Sequence, residues 1–282
     1  MSDALLAVDS VVAGFGSTTI LHGLSFSVAK GEIAGIFGLN GAGKSVSMKV
    51  LAGVVPVRTG TITFDGRDIT SLAAEERVAA GMGHVPQGRQ VFPELTVEEN
   101  LRLGAYTMRR RNRSKYPAAL AGVYDRFPIL TERRAQLAGT LSGGQQASLA
   151  VARALINEPT LVLVDEPSAG LAPVAVAGLF KTLKAVAETG VTMVLVEQNV
   201  TFGLEIADRA HILQTGRIVY SGDVGALDQS ALAGYLGIGR MLGNVTSAAL
   251  SSRRDRREAA RAVPDRWAER RAARAARRRT NA

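Results

Sequence analysis

A short apolar run, Glu32-Ile-Ala-Gly-Ile-Phe37, passes without a gap into Gly38-Leu-Asn-Gly-Ala-Gly-Lys-Ser45 and then into a helix-forming stretch that ends near Gly53. This G-x-x-x-x-G-K-[ST] spacing constrains the fold more than any other feature, because it works only as strand, loop and helix in that order. Phosphate oxygens need several donors in a tight concave surface. Gly38, Gly41 and Gly43, with Asn40 between them, let the backbone turn its N–H groups inward where side chains would collide. Lys44 adds a mobile point charge for the β- and γ-phosphates, and Ser45 a hydroxyl oxygen of the kind Mg²⁺ accepts. The helix that follows aims the positive end of its dipole at the anion.

Leu161-Val-Leu-Val164 reads as a buried parallel strand, and it ends in Asp165-Glu166. A carboxylate there points into the crevice where doubly wound sheets bind ligands. Asp165 is expected to hold Mg²⁺ through water, and Glu166 to polarise, or take a proton from, the water that attacks the γ-phosphate. Between these motifs stands Leu141-Ser142-Gly143-Gly144-Gln145, at the start of a helix expected over Gln145 to Ile156, where Leu149, Ala152 and Leu155 recur at helical spacing. Its free N–H groups make a second anion site. One γ-phosphate does not need two such sites from one chain.

Taken in this order and spacing, the motifs resemble those of the ATP-binding-cassette (ABC) family. The resemblance implies an α/β fold: a P-loop ATPase core with a mostly parallel sheet, an N-terminal antiparallel β region and a helical signature subdomain. It also implies that Ser142 to Gln145 face the phosphate loop of an opposite ATPase subunit. By the same resemblance, Gln87 in Val85-Pro-Gln-Gly-Arg89 reaches Mg²⁺ or the attacking water, and Ser168 to Leu171 run between the two subunits. Phe15 falls where the family places an aromatic residue against adenine, and a core position is the other reading.

Two departures stand out. Gln198 occupies the place of the family's switch histidine, and an amide can donate to a γ-phosphate but cannot carry charge or shuttle a proton. Val46 stands where a Thr commonly follows the Mg²⁺-binding hydroxyl; its backbone N–H is still expected to donate to the nucleotide, but one hydroxyl near the phosphates is lost. Both raise the question of slow hydrolysis at this site. His22, His84 and His211 lie elsewhere and read as structural. The segments 85–93, 95–101, 165–173 and 195–199 look like the second ATPase subunit of branched-chain amino-acid importers, with urea and short-chain amide importers as close alternatives. That resemblance implies several partners: a second, histidine-bearing ATPase subunit (a homodimer being the alternative), two transmembrane permease subunits and an extracytoplasmic solute-binding protein. It places the chain peripherally on the cytoplasmic face of the inner (plasma) membrane.

The chain has 282 residues with 46% hydrophobic side chains, enough for an ordinary buried core. With no cysteine, disulfide and thiolate chemistry are excluded. No basic region precedes an apolar core at the N-terminus, and no apolar run reaches membrane-spanning length, so neither a secretory signal nor a span is expected. The expected layout is a nucleotide-binding domain over 1–237, with its helical subdomain at about 88–140, and a linker and Arg-rich tail over 238–282. Twelve Arg against four acids between Ser251 and Ala282 give that tail +8 of the total +9. A solvated or frayed helix, contact with anionic lipid, and contact with nucleic acid or a partner are the readings open for it. A soluble cassette protein acting on nucleic acid through this tail is the rival to a transporter ATPase.

Overall fold

The computed structural model describes residues 4–227. The basic tail, with every expectation placed on it, lies outside the described residues. The chain opens with two long strands, β1 (Ala4–Phe15) and β2 (Thr18–Ala29), paired antiparallel around a turn at Gly16. β3 (Ile33–Phe37) then delivers the phosphate loop to helix α1 (Lys44–Leu51). β4 (Val57–Phe64) returns to pair antiparallel with β1, and the short β5 (Arg67–Asp68) pairs with β4. Next come α2 (Ala74–Ala80) and β6 (Met82–Val85).

Four helices follow as the expected helical segment: α3 (Val97–Gly104), α4 (Tyr106–Arg111), α5 (Tyr116–Arg126) and α6 (Pro128–Glu132). Thr96 starts α3 with a reciprocal cap, its hydroxyl accepting from Glu99 N–H while the Glu99 carboxylate accepts from Thr96 N–H. α7 (Gly143–Leu155), β7 (Leu161–Asp165), α8 (Pro173–Glu188), β8 (Thr192–Val196), α9 (Val200–Ile206), β9 (Arg209–Gln214) and β10 (Arg217–Asp223) complete the order.

Two sheets result. One is antiparallel, in the order β2-β1-β4-β5; the other has the order β10-β9-β3-β8-β7-β6 and is parallel except for its edge strand β10. The central strands β3, β7 and β8 are buried at every position because both of their faces are covered. Leu161 and Leu163 of β7 and Val194 and Val196 of β8 pack with α1 and the antiparallel sheet. Val162, Val164, Met193 and Leu195 pack on the other face with α7 and α8. Burying each such side chain stabilises the fold by roughly 1.5–3 kcal/mol. Phe37, fully buried at the end of β3, fills the space left by two glycines: a Cβ at Gly35 or Gly203 would stand 2.5 Å from its ring.

Pairing brings the C-terminal ends of four strands into line. Ile36 of β3 lies beside Val196 of β8, Asp165 of β7 beside the same Val196, and Val85 of β6 beside Val164. The phosphate loop, Gln87, Asp165-Glu166 and Gln198 all leave the sheet from this one edge, where open α/β sheets bind ligands.

Candidate active site

The phosphate loop adopts the backbone its glycines were expected to allow. Gly41 and Gly43 have φ of 80° and 106°, values that side chains tolerate poorly. At Gly38 the obstacle is space rather than angle, since a Cβ there would lie 2.3 Å from the Leu213 carbonyl oxygen. Asn40 and Gly41 are exposed at the loop's tip. Lys44 is only 4% exposed; its ammonium donates to the carbonyls of Gly38 (2.9 Å) and Leu39 (3.3 Å), folding the side chain back over the loop. Ser45 and Val46 occupy the first turn of α1. Val46 packs against the core beneath the antiparallel sheet, which accounts physically for an apolar residue in place of a hydroxyl.

Asp165 and Glu166 sit side by side yet differ in environment. Asp165 is 3% exposed, and its Oδ1 is buried with no hydrogen-bond partner. Burial pushes its pKa up to about 6, the neighbouring Glu166 charge adding to the rise and Lys49 and Lys44 opposing it. Glu166 has a left-handed backbone, φ 42°, anchored by its N–H to the Val196 carbonyl at 2.9 Å. Its carboxylate accepts from the Gln87 amide at 2.7 Å and lies 3.9 Å from the Lys44 ammonium. Two residues distant in sequence, Lys44 and Gln87, thus converge on one carboxylate. An orphaned buried oxygen at Asp165, with the oxygen-bearing side chains of Ser45 and Gln87, is a donor set of the type Mg²⁺ prefers. Among the described residues no group of three His, Cys, Asp or Glu could hold a metal.

The signature segment forms the start of α7, two residues earlier than its periodicity suggested. Ser142 is the N-cap and Gly143 the first helical residue, so Gly144 and Gln145 are also helical. Ser142 and Gln145 bond reciprocally, the hydroxyl accepting from Gln145 N–H and the Gln145 side chain accepting from Ser142 N–H. The reciprocal cap thus uses the N–H groups of Ser142 and Gln145. Phe15 is 49% exposed, which removes the core reading, and Lys49 stands 5.9 Å from its ring centroid. Gln198 is exposed on the turn before α9. His84 and His211 are pushed down to about 4 by burial, as suits structural residues.

Three residues at this edge have no role of their own in the sequence reading, although Arg89 and Glu197 lie inside its segments 85–93 and 195–199. Lys49 lowers the pKa of Asp165 from within α1. Arg89, on a left-handed backbone, donates to Gln146 of α7 (3.3 Å) and to the carbonyls of Ala169 (3.4 Å) and Gly170 (3.3 Å), so it joins the Gln87 loop to two other segments. Glu197 is 1% exposed and accepts from two backbone N–H groups.

Residues 21–169 match the family model described as ABC transporter, more than half of the chain. The chain belongs to the ABC transporter ATPase family. This ABC ATPase is 41% identical over 222 residues to the high-affinity branched-chain amino acid transport ATP-binding protein BraG of Pseudomonas aeruginosa, covering 79% of this chain and 94% of that protein. It is 38% identical over 217 residues to the probable branched-chain amino acid transport ATP-binding protein LivF of Archaeoglobus fulgidus, covering 76% and 90%. Among solved structures it resembles a nucleotide-free ATP-binding cassette from an ABC transporter, with a TM-score of 0.72 and 26% identity, covering 83% and 95%. The ADP conformation of another such cassette matches with a TM-score of 0.69 and 28% identity, covering 79% and 92%. The ABC ATPase therefore binds and hydrolyses ATP as part of a transporter. Among the described residues no helix is long and apolar enough to cross a membrane.

Proposed function

We propose that this ATPase drives import of branched-chain amino acids and is the half of an ATPase pair that lacks the switch histidine. Its partners in this reading are a histidine-bearing second ATPase subunit, two permease subunits and an extracytoplasmic binding protein, with the chain on the cytoplasmic face. The observation that carries the chemistry is the convergence of Lys44 and Gln87 on Glu166 at the sheet edge. The solute rests on the likeness to BraG and LivF, whose names state branched-chain amino-acid transport.

In this mechanism the nucleotide-binding domain spans 1–237, and its loop from Gly38 to Ser45 surrounds the β- and γ-phosphates with backbone N–H groups while Lys44 supplies charge. Phe15 stacks on the adenine. Ser45, Asp165 and Gln87 would hold Mg²⁺, which when bound neutralises charge developing on the phosphate oxygens. Glu166 accepts the proton of the water that attacks the γ-phosphorus as the bond to the ADP oxygen breaks. Gln198 donates to the γ-phosphate. Ser142, Gly143, Gly144 and Gln145 complete the opposite subunit's site, so ATP closes the pair and hydrolysis reopens it.

Glu166→Gln should leave ATP binding within about twofold of wild type and lower turnover by roughly a hundredfold or more. Equal turnover would remove Glu166 from the chemistry. For the solute, deletion of the gene should abolish high-affinity leucine uptake and complementation restore it; unchanged uptake of leucine, isoleucine and valine would contradict the assignment.

A further inference from the structure

The turn after β8 holds a carboxylate that the mechanism above does not use. Glu197 immediately precedes Gln198, is 1% exposed, and makes no ion pair among the described residues. A buried charge with no cation is costly unless hydrogen bonds replace its water. Here they come from the backbone, one to each oxygen: Oε1 accepts from Ser168 N–H and Oε2 from Asn199 N–H, both at 3.0 Å. Ser168 opens the loop that follows Glu166, and Asn199 closes the turn that presents Gln198. The N–H of Glu166 itself donates to the Val196 carbonyl at 2.9 Å, so the two strand ends are already in register where the carboxylate bridges them.

We propose that Glu197 is a positioning residue that ties the loop after Glu166 to the turn carrying Gln198, so that the two move as one body. This rests on the reading of Gln198 and of the 168–171 loop given above. The chemistry of the side chain selects a carboxylate. Two converging N–H groups need two acceptor oxygens and no donor. An amide would offer one oxygen and turn an NH₂ against the remaining N–H; a hydroxyl could not span the gap. The bridge also forms one wall of a cavity of ≈ 290 Å³ lined by Glu166, Ser168, Ala169, Glu197, Gln198 and Asn199, so a shift of either segment changes the space beside Glu166. A displacement of the partner-facing loop is thereby delivered to Gln198 through a single side chain.

The test uses the full-length chain assembled with its permease and second ATPase subunits. Glu197→Gln should lower kcat by about tenfold or more and leave the KM for ATP within about twofold. In a Gln198→Ala background the same change should cost no more than about twofold further, because the bridge acts through Gln198. Glu197→Asp keeps the charge on a stem too short to span both donors, and should show the same kcat loss; it serves where Glu197→Gln does not fold. Turnover within twofold of wild type, a change in KM alone, or full additivity with Gln198→Ala overturns the proposal. So does failure of both variants to assemble, which would make the carboxylate a folding requirement only. A wild-type assembly that turns over no ATP, or a fully active Glu166→Gln variant, contradicts the underlying function instead.

Discussion

The residues at the sheet edge divide by how they meet their partners. Gly38 to Ser45 and Asp165-Glu166 act through contiguous geometry, strand then loop then helix, and such geometry leaves a spacing in the sequence. Glu197 and Arg89 act by reaching across to backbone groups of other segments, and side-chain-to-backbone bonds leave no pattern at either end. Gly38 shows how strict the legible part is. Gly38→Ala would bring a Cβ to 2.3 Å from the Leu213 carbonyl, a clash that only backbone movement can relieve. It should cost roughly 1–3 kcal/mol of stability, read by denaturant unfolding, and weaken ATP binding by about tenfold or more. Phe15, half-exposed beside Lys49, allows a milder test. Phe15→Ala should reduce ATP affinity by about three- to tenfold in a fluorescence titration, and Phe15→Trp should preserve it.

The strand β7, buried on both faces, was readable from the uninterrupted apolar run Leu161 to Val164. The helix α7 was readable in extent, and its start lies two residues earlier than the apolar periodicity alone showed, at the Ser142 cap. The segment between β6 and α7 was legible as helical but not divided into four helices, although Pro117 and Pro128 stand in the first turns of α5 and α6. Asn100, fully buried, holds the turn before α3 by donating to the Phe92, Leu95 and Thr96 carbonyls. A comparable device fixes α1. The Arg77 guanidinium, 2% exposed, donates to the Val50 and Leu51 carbonyls at the helix's C-terminus and to those of Thr70 and Leu72. Hydrogen bonds to charged groups each contribute about 1.5–3 kcal/mol. Arg77→Met should therefore lower stability by roughly 3 kcal/mol, visible as a fall in Tm, and loosen the phosphate helix. Arg89→Met should behave differently: stability nearly unchanged and turnover reduced several-fold, since it unlinks the Gln87 loop from α7 and the 169–170 loop.

At the scale of the whole molecule, pH acts through two buried histidines and one motif carboxylate, Asp165. His84 and His211 stay neutral in the fold, their values lowered from 6.5 to about 4. Between those limits the unfolded chain takes up protons that the folded chain does not, so their contribution is present above pH 6.5 and lost as pH falls toward 4. Each is worth at most about 1.4 kcal/mol per pH unit. Asp165 works in the opposite sense: raised from 3.8 to about 6, it holds a proton that the unfolded chain has released, adding stability as pH falls through 6. Two histidines outweigh one carboxylate, so the urea midpoint of the nucleotide-free protein should fall between pH 6.5 and 4.5. His211→Leu should remove much of that slope, and an unchanged slope would contradict a neutral, buried His211. The central claim at this scale is that the chain supplies half of two composite ATP sites. It is tested most directly by sedimentation of Glu166→Gln mixed with its cognate second ATPase subunit. The expected result is a dimer-sized species with Mg²⁺ and ATP that reverts to monomers with ADP. Monomers in both nucleotides at saturating ATP would contradict it.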